Sequence, residues 1–149
     1  MDIALKYDPD AKVYDLAIID GDLAIDTSLE TAVLLSLYTD RRALTEDLLP
    51  GEGSDRRGWW CDAYSERPHG SRLWLLSREK ELDRVLRLAE EYAREALAWV
   101  IKDGIASSMD IEAVHLRPGV FQLIVGIQRS SSTVLEGRYE YVWGVSNVL

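Results

Sequence analysis

The chain has 149 residues, of which 47% are hydrophobic and 29% are charged, and its net charge is −9. This length and composition are typical of one globular domain with its own core, so we predict a single domain over residues 1–149. So acidic a chain is a poor general binder of nucleic acid, and it contains no apolar run of about 18 residues that would indicate a membrane-spanning helix.

The first part of the chain, residues 1–26, predicts an N-terminal β-hairpin ribbon. Residues 3–7 and 13–19 have strand-like sequences, and Asp20-Gly21 is a strong signal for a two-residue hairpin turn. Residues 23–25 would then return antiparallel to the second strand. A ribbon this small is marginally stable alone, so we expect it to lie on another part of the domain.

The first main helix is predicted from about residue 28 to residue 42. Asp26, Thr27 and Ser28 are N-cap candidates, and apolar residues at helical spacing follow them. In this prediction Arg41 and Arg42 lie in the last helical turn, where positive charge favours the helix dipole.

The second main helix is predicted from about residue 78 to residue 102. Its apolar residues form one stripe at helical spacing, with charged residues on the opposite face. Ser77 is the candidate N-cap, and Gly104 is the candidate glycine just beyond the end of the helix. The stripe predicts a core helix, and a groove for a partner helix is the alternative.

A long loop rich in arginine and tryptophan, residues 43–76, separates the two helices. We call it the arginine-tryptophan loop; it contains Trp59, Trp60 and Trp74, with a short helical turn expected at 71–76. Aromatic rings at this density cannot all remain in water, and loops this long are often functional. The loop must therefore pack on its own domain or on another chain.

The last third of the chain predicts a three-stranded antiparallel sheet packed on the long helix. Residues alternate between apolar and polar from 109 to 113, from 120 to 128 and from about 134 to 143. The third strand is expected at a sheet edge, where it would pair with another chain unless the N-terminal ribbon covers it. The predicted fold class is therefore α/β of the α+β type.

The residues that could carry chemistry do not form a recognisable catalytic or metal-binding set. Cys61, His69 and His115 lack the spacing of zinc ligands, and no serine-nucleophile motif is present. We therefore predict no metal, no cofactor and no enzymatic activity. A pair between Cys61 and a histidine stays open, and so does a glycosidase pair of loop carboxylates. The candidate carboxylates are Glu46, Asp47, Glu52, Asp55, Asp62 and Glu66.

The arginines and tryptophans around the loop are instead predicted to bind a protein partner. Arginine and tryptophan are enriched among the residues that dominate interface energies. The same residue types can form a platform for single-stranded nucleic acid, but the net charge argues against that alternative. The candidate partner-binding residues are Arg41, Arg42, Arg56, Arg57, Trp59 and Trp60.

Several strings of the sequence carry a family resemblance. They are GDLAID at 21–26, TDRRA at 39–43, DRRGWWCD at 55–62, GSRLWLLSREK at 70–80 and EALAWVIKDGIA at 95–106. Over residues 20–143 the chain resembles the family of gene product forty-six of bacteriophage Mu. Two departures are visible. Cys61 stands where a glycine is expected, and Lys102-Asp103-Gly104 stands in place of the Glu-Pro-Arg string of related wedge proteins.

The resemblance implies a structural role in the baseplate of a contractile tail, in a phage or a prophage. Such a subunit would be present in several copies and would contact wedge, spike and sheath proteins. It would be located in the virion tail baseplate, after assembly in the cytoplasm of the bacterial host; the lack of a signal-peptide pattern agrees with that compartment. A tail-associated, lysozyme-like cell-wall hydrolase is the alternative.

Overall fold

A computed structural model describes residues 2–26 and 28–143 of the chain. The fold class predicted from the sequence is confirmed, because helices are combined with antiparallel strands and the last three strands form one sheet. Thr27, one of the three N-cap candidates, lies outside the described residues.

The N-terminal ribbon consists of three short two-stranded arms. The strands are β1 (Asp2–Ile3), β2 (Leu5–Asp8), β3 (Val13–Leu16), β4 (Ile18–Ile19), β5 (Asp22–Leu23) and β6 (Ile25–Asp26). β1 pairs with β6, β2 with β3 and β4 with β5, each pair antiparallel. The predicted turn at Asp20-Gly21 joins β4 to β5, and both residues have the positive φ that a type I′ turn requires.

Three alanines form the junction from which the arms diverge. The amide of Ala4 donates to the carbonyl of Ala24 at 2.8 Å, that of Ala24 to Ala17 at 2.8 Å, and that of Ala17 to Ala4 at 2.9 Å. This ring of hydrogen bonds interrupts the strand predicted over 13–19 at Ala17. The small alanine side chains allow the three backbones to approach one another.

Helix α1 spans Glu30–Tyr38 and ends four residues earlier than predicted. Asp26 and Ser28 cap it, since Asp26 Oδ2 accepts from the amide of Thr31 at 2.8 Å and Ser28 Oγ accepts from the next amide upstream. Thr39 is already extended because its carbonyl accepts from the amide of Ser71. The placement of Arg41 and Arg42 in the last helical turn was therefore wrong.

Helix α2 spans Leu82–Lys102 and starts later than predicted. Ser77 lies inside a 3₁₀ helix, Arg72–Arg78, so the prediction that it caps α2 was wrong. The chain then runs extended to Glu81, which precedes the first turn of α2. Gly104 follows the helix with a φ of 71°, as predicted for a C′ glycine.

The C-terminal sheet has the order β7-β8-β9, with β7 at Ser108–Arg117, β8 at Val120–Arg129 and β9 at Ser132–Val142. Its inner face packs on α2, whose apolar stripe is buried in the core as predicted. The buried residues of α2 are Val85, Ala89, Tyr92, Ala93, Ala96, Leu97 and Val100. Those of β8 include Phe121, Leu123, Val125 and Ile127.

The two edges of this sheet are covered to different extents. At β7, Glu90 accepts from the amide of Ala113 at 3.0 Å and Arg94 donates to the carbonyl of Ile111 at 2.9 Å, so α2 occupies this edge. At β9, the hydroxyl of Tyr38 donates to the carbonyl of Glu140 at 2.7 Å. Among the described residues no strand pairs with the outer side of β9.

The ribbon contacts the rest of the domain through aromatic rings rather than through backbone pairing with β9. The rings of Tyr14 and Tyr38 lie 6.0 Å apart, and those of Tyr38 and Tyr141 are stacked at 6.3 Å. Burial raises the pKa of Tyr38, which keeps its hydroxyl protonated as a hydrogen-bond donor. No helix within the described residues is long and apolar enough to cross a bilayer.

Candidate functional site

The arginine-tryptophan loop and the segment 39–43 that leads into it form a compact unit in which three separate segments lie side by side. The segment 39–43 is in the middle. Its Arg41 amide donates to the Ser71 carbonyl at 2.9 Å, and the Ser71 amide donates to the Thr39 carbonyl at 2.8 Å. On the other side, the Ala43 amide donates to the Arg56 carbonyl at 2.9 Å. The strings TDRRA, DRRGWWCD and GSRLWLLSREK therefore meet in space.

Two glycines allow this close approach. Gly70 has a φ of 96°, and a Cβ at this position would overlap the Thr39 carbonyl, with the carbonyl carbon at 2.9 Å. Gly58 has a φ of 115°, and its Cβ would lie 3.0 Å from the Cβ of Arg42. Both positions require a left-handed backbone and leave little space for a side chain.

Arg72 is the buried charge at the centre of this unit. Its Nε donates to Glu95 at 2.8 Å, its Nη1 donates to Asp47 at 3.0 Å, and its guanidinium carbon lies 4.5 Å from the ring centroid of Tyr92. Burial disfavours the charged form, but the hydrogen bonds to Glu95 and Asp47 outweigh it and raise the pKa of Arg72. Neither Arg72 nor Glu95 was among the site residues predicted from the sequence.

Arg41 also binds Glu95, at 3.2 Å, and donates to the carbonyls of Pro68 and Gly70. Its side chain is only 13% exposed. Glu95 of α2 thus connects the segment 39–43 to the segment that contains Arg72. This geometry gives Arg41 an intramolecular role, although it was predicted as a partner-binding residue.

Arg56 holds the beginning of the loop in place. Its guanidinium donates to the carbonyl oxygens of Leu44, Thr45 and Asp47. These three carbonyl groups belong to one turn, so the side chain of Arg56 alone is enough to fix that turn. Most of the hydrogen-bonding capacity of Arg56 is consequently used within the chain.

Arg57 and Arg42 lie at the surface of the same unit. Arg57 Nη1 lies 2.6 Å from Asp40 Oδ2, and its guanidinium carbon lies 4.4 Å from the ring centroid of Trp74. Arg42 Nη1 donates to the carbonyl of Arg57 at 3.3 Å. Trp74 itself is buried, and its indole nitrogen donates to the carbonyl of Arg41 at 2.8 Å.

Trp59 and Trp60 form an exposed aromatic patch, which we call the tryptophan surface, and Tyr64 is exposed at the end of the 3₁₀ helix that follows Trp59. Trp59 is 39% exposed, Trp60 is 75% exposed and Tyr64 is 84% exposed. The indole rings lie 5.9 Å apart, and the ring of Trp59 lies 5.1 Å from that of His69. Burial lowers the pKa of His69, so its imidazole is neutral at pH 7.

Three of the six carboxylates considered as glycosidase candidates take part in the loop's own hydrogen bonds. Asp47 binds Arg72, Asp55 accepts from the amide of Arg57, and Asp62 accepts from the amide of His69. Cys61 is a free, half-buried thiol in the 3₁₀ helix Trp60–Tyr64. Over residues 2–26 and 28–143, no group of three His, Cys, Asp or Glu side chains could hold a metal ion.

The fold and this loop define an α+β protein with a large loop fixed by arginines and an exposed tryptophan surface. The chain belongs to the family of phage protein GP46, whose model matches residues 29–134.

Two relatives show the same family. The chain is 46% identical over 123 residues to the baseplate protein gp46 of Escherichia phage Mu. The aligned region covers 82% of this chain and 83% of that protein. It is 33% identical over 132 residues to the Mu-like prophage FluMu protein gp46 of Haemophilus influenzae. Here the aligned region covers 88% of this chain and 90% of that protein.

Proposed function

We propose that this chain is a structural component of the baseplate of a contractile phage or prophage tail. The observation that carries the proposal is its 46% identity to the baseplate protein gp46 of phage Mu, over about four fifths of both chains. In this role the chain is a non-enzymatic single domain, present in several copies, that contacts wedge, spike and sheath proteins. It assembles in the host cytoplasm and is then located in the virion tail.

The arginine-tryptophan loop is the surface that we propose for wedge assembly, with two kinds of residue in it. Trp59 and Trp60 contact the partner directly, because they expose large rings on a fixed part of the loop. Aromatic residues that pass from water into an interface dominate its energy. Arg42 is also exposed, and it donates to the carbonyl of Arg57, two residues before Trp59. Arg41, Arg56 and Arg57 contribute by holding the loop in shape.

Variants separate these two contributions. Trp60→Ala should leave the thermal midpoint nearly unchanged but prevent incorporation into tails, because Trp60 makes little contact with its own domain. Changing Arg56 and Arg57 to alanine together should lower the midpoint, because both guanidinium groups bind within the chain. Leu48→Ala is the matched control, since Leu48 is 88% exposed in the same loop. Normal incorporation of the Trp60 variant would exclude the tryptophan surface as the interface.

The outer edge of β9 is a second proposed joint between subunits. Strand addition supplies affinity through main-chain hydrogen bonds, and among the described residues no strand pairs with the outer side of β9. Hydrogen exchange on a verified monomer tests the proposal. Strong protection of every amide between Val134 and Val142 would mean that the edge is already occupied.

The alternative, a lysozyme-like hydrolase, is tested with a peptidoglycan zymogram of the purified chain. We expect no cleared band. Cleavage that is abolished by Asp62→Asn or Glu66→Gln would reverse the proposal of a non-enzymatic role.

A further inference from the structure

The three-armed ribbon exposes an unusual amount of aliphatic surface for so few residues. Ile18 is 69% exposed and Ile19 is 63% exposed, and both lie in the arm formed by β4 and β5. Further exposed aliphatic residues of the ribbon are Ile3, Val13, Leu16, Leu23 and Ile25. Clusters of exposed apolar residues in a soluble domain mark interaction sites.

The charges of the ribbon restrict what can cover this surface. Residues 2–26 carry seven aspartates and two lysines, and their net charge of −5 is about half of the chain's net charge of −9. The aspartates are Asp2, Asp8, Asp10, Asp15, Asp20, Asp22 and Asp26. Aliphatic side chains interspersed with acids are complementary to an apolar groove that has basic residues along its rim.

The same charges disfavour two other partners for this surface, a second copy of the chain and an anionic bilayer. Two ribbons that met face to face would bring together two sets of about five net negative charges, which opposes a second copy of this chain. An anionic bilayer would repel the ribbon for the same reason.

The arms are also fixed before any partner binds. The ring of hydrogen bonds among Ala4, Ala17 and Ala24 sets the angles at which they diverge. The turn at Asp20-Gly21 fixes the arm that carries Ile18 and Ile19. Because little ordering is left to occur on binding, the exposed aliphatic residues can contribute most of their burial to affinity.

We propose that the three-armed ribbon docks into an apolar groove, rimmed by lysine and arginine residues, on a neighbouring protein of the tail. The proposal rests on the baseplate function above. The ribbon lies outside residues 29–134, the part of the chain that the family model matches. It shares no residue with the arginine-tryptophan loop, so in this proposal it is a second contact surface.

The test uses tails produced from a tail gene cluster that lacks this chain, to which the purified full-length chain is added. Ile18→Ser with Ile19→Ser removes the aliphatic contact, and Asp15→Asn with Asp20→Asn and Asp22→Asn removes charge. Ile101→Ser is the control, because Ile101 is an exposed isoleucine of α2 that belongs to none of the proposed surfaces. Circular dichroism verifies that each variant is folded.

We expect the isoleucine variant to lose incorporation by about tenfold or more. The asparagine variant should bind more weakly at low salt and lose most of the salt dependence of the wild-type chain. Ile101→Ser should incorporate normally. If the wild-type chain itself is not incorporated, the proposed baseplate function fails; if it is incorporated and the isoleucine variant is too, only the ribbon proposal fails.

Two further measurements address the other occupants. A dimer of the wild-type chain in sedimentation, dissolved by Ile18→Ser with Ile19→Ser, would overturn the proposal in favour of self-association. Binding to vesicles of phosphatidylcholine and phosphatidylglycerol that the same variant abolishes would overturn it in favour of a membrane.

Discussion

Arg72 and Glu95 form a partly buried ion pair, in which Arg72 Nε lies 2.8 Å from Glu95 Oε2, and this pair connects the arginine-tryptophan loop to the middle of α2. Arg72→Ala would leave Asp47 without its ion-pair partner and would leave Glu95 paired with Arg41 alone. Breaking a buried pair in this way costs roughly 3–5 kcal/mol. At roughly 2–4 °C per kcal/mol for a chain of this size, we expect a clearly lower thermal midpoint by calorimetry.

Arg78→Ala is the matched control for that experiment. Arg78 lies in the same 3₁₀ helix but is exposed. It should melt within about 1 °C of the wild-type chain, as exposed ionic groups contribute little to stability. If Arg72→Ala had the same thermal midpoint as Arg78→Ala, the assignment of Arg72 as the centre of the loop would be wrong.

Gly70 should not tolerate even alanine. The added Cβ would overlap the Thr39 carbonyl, and the φ of 96° is unfavourable for any residue with a side chain. We expect a loss of about 3 kcal/mol or more in the free energy of unfolding, measured by urea denaturation. Gly53→Ala is the control, because nothing lies within 4 Å of its Cβ position. Equal stability of Gly70→Ala and Gly53→Ala would contradict the close approach between the backbones of residues 39–43 and 70–71.

Asp26 should make the stability of the chain depend on acidity. Hydrogen bonds, first from the hydroxyl of Ser28 and also from the amide of Thr31, lower the pKa of Asp26 from 3.8 to about 2. A carboxyl whose folded-state pKa is depressed contributes stability above about pH 4, and this contribution is lost as the pH falls toward 2. Asp26→Ala should cost about 1 kcal/mol at pH 7, as for other helix caps.

The difference between Asp26→Ala and the wild-type chain should therefore shrink between about pH 4 and pH 2 in thermal melts. Asp10→Ala, which changes an exposed acid of the ribbon, should show no such convergence. A constant difference for Asp26→Ala across this range would argue against its role as a cap.

Tyr38 connects the ribbon to the sheet, so its replacement should loosen the ribbon selectively. Tyr38→Ala removes the contact with Tyr14 and the hydrogen bond to Glu140. We expect faster hydrogen exchange at the amides of β2 and β3, with exchange in β8 unchanged, because β8 lies in the core. Tyr64→Ala, which removes an exposed ring, should change neither. Unchanged exchange in Tyr38→Ala would show that other contacts hold the ribbon.

Periodic elements were predictable because burial on one face imposes a period on the sequence. The stripe of α2 and the alternation in β8 were confirmed for this reason. The end of α2 at Lys102 was predictable from Gly104, but the end of α1 was not, since Thr39 leaves α1 to bond with Ser71, far along the chain. Arg72 was overlooked because Asp47 and Glu95 lie 25 and 23 residues away. Its local sequence does not distinguish it from Arg67 and Arg78, which are exposed.

The most direct test of the proposed function is a cryo-EM map of the intact tail that contains this chain. We predict density for several copies in the baseplate, with Trp60 covered by a neighbouring protein and with Arg72 still bound to Glu95 within each copy. A complete baseplate without density for this chain, or one in which Trp60 remains in solvent in every copy, would contradict the account.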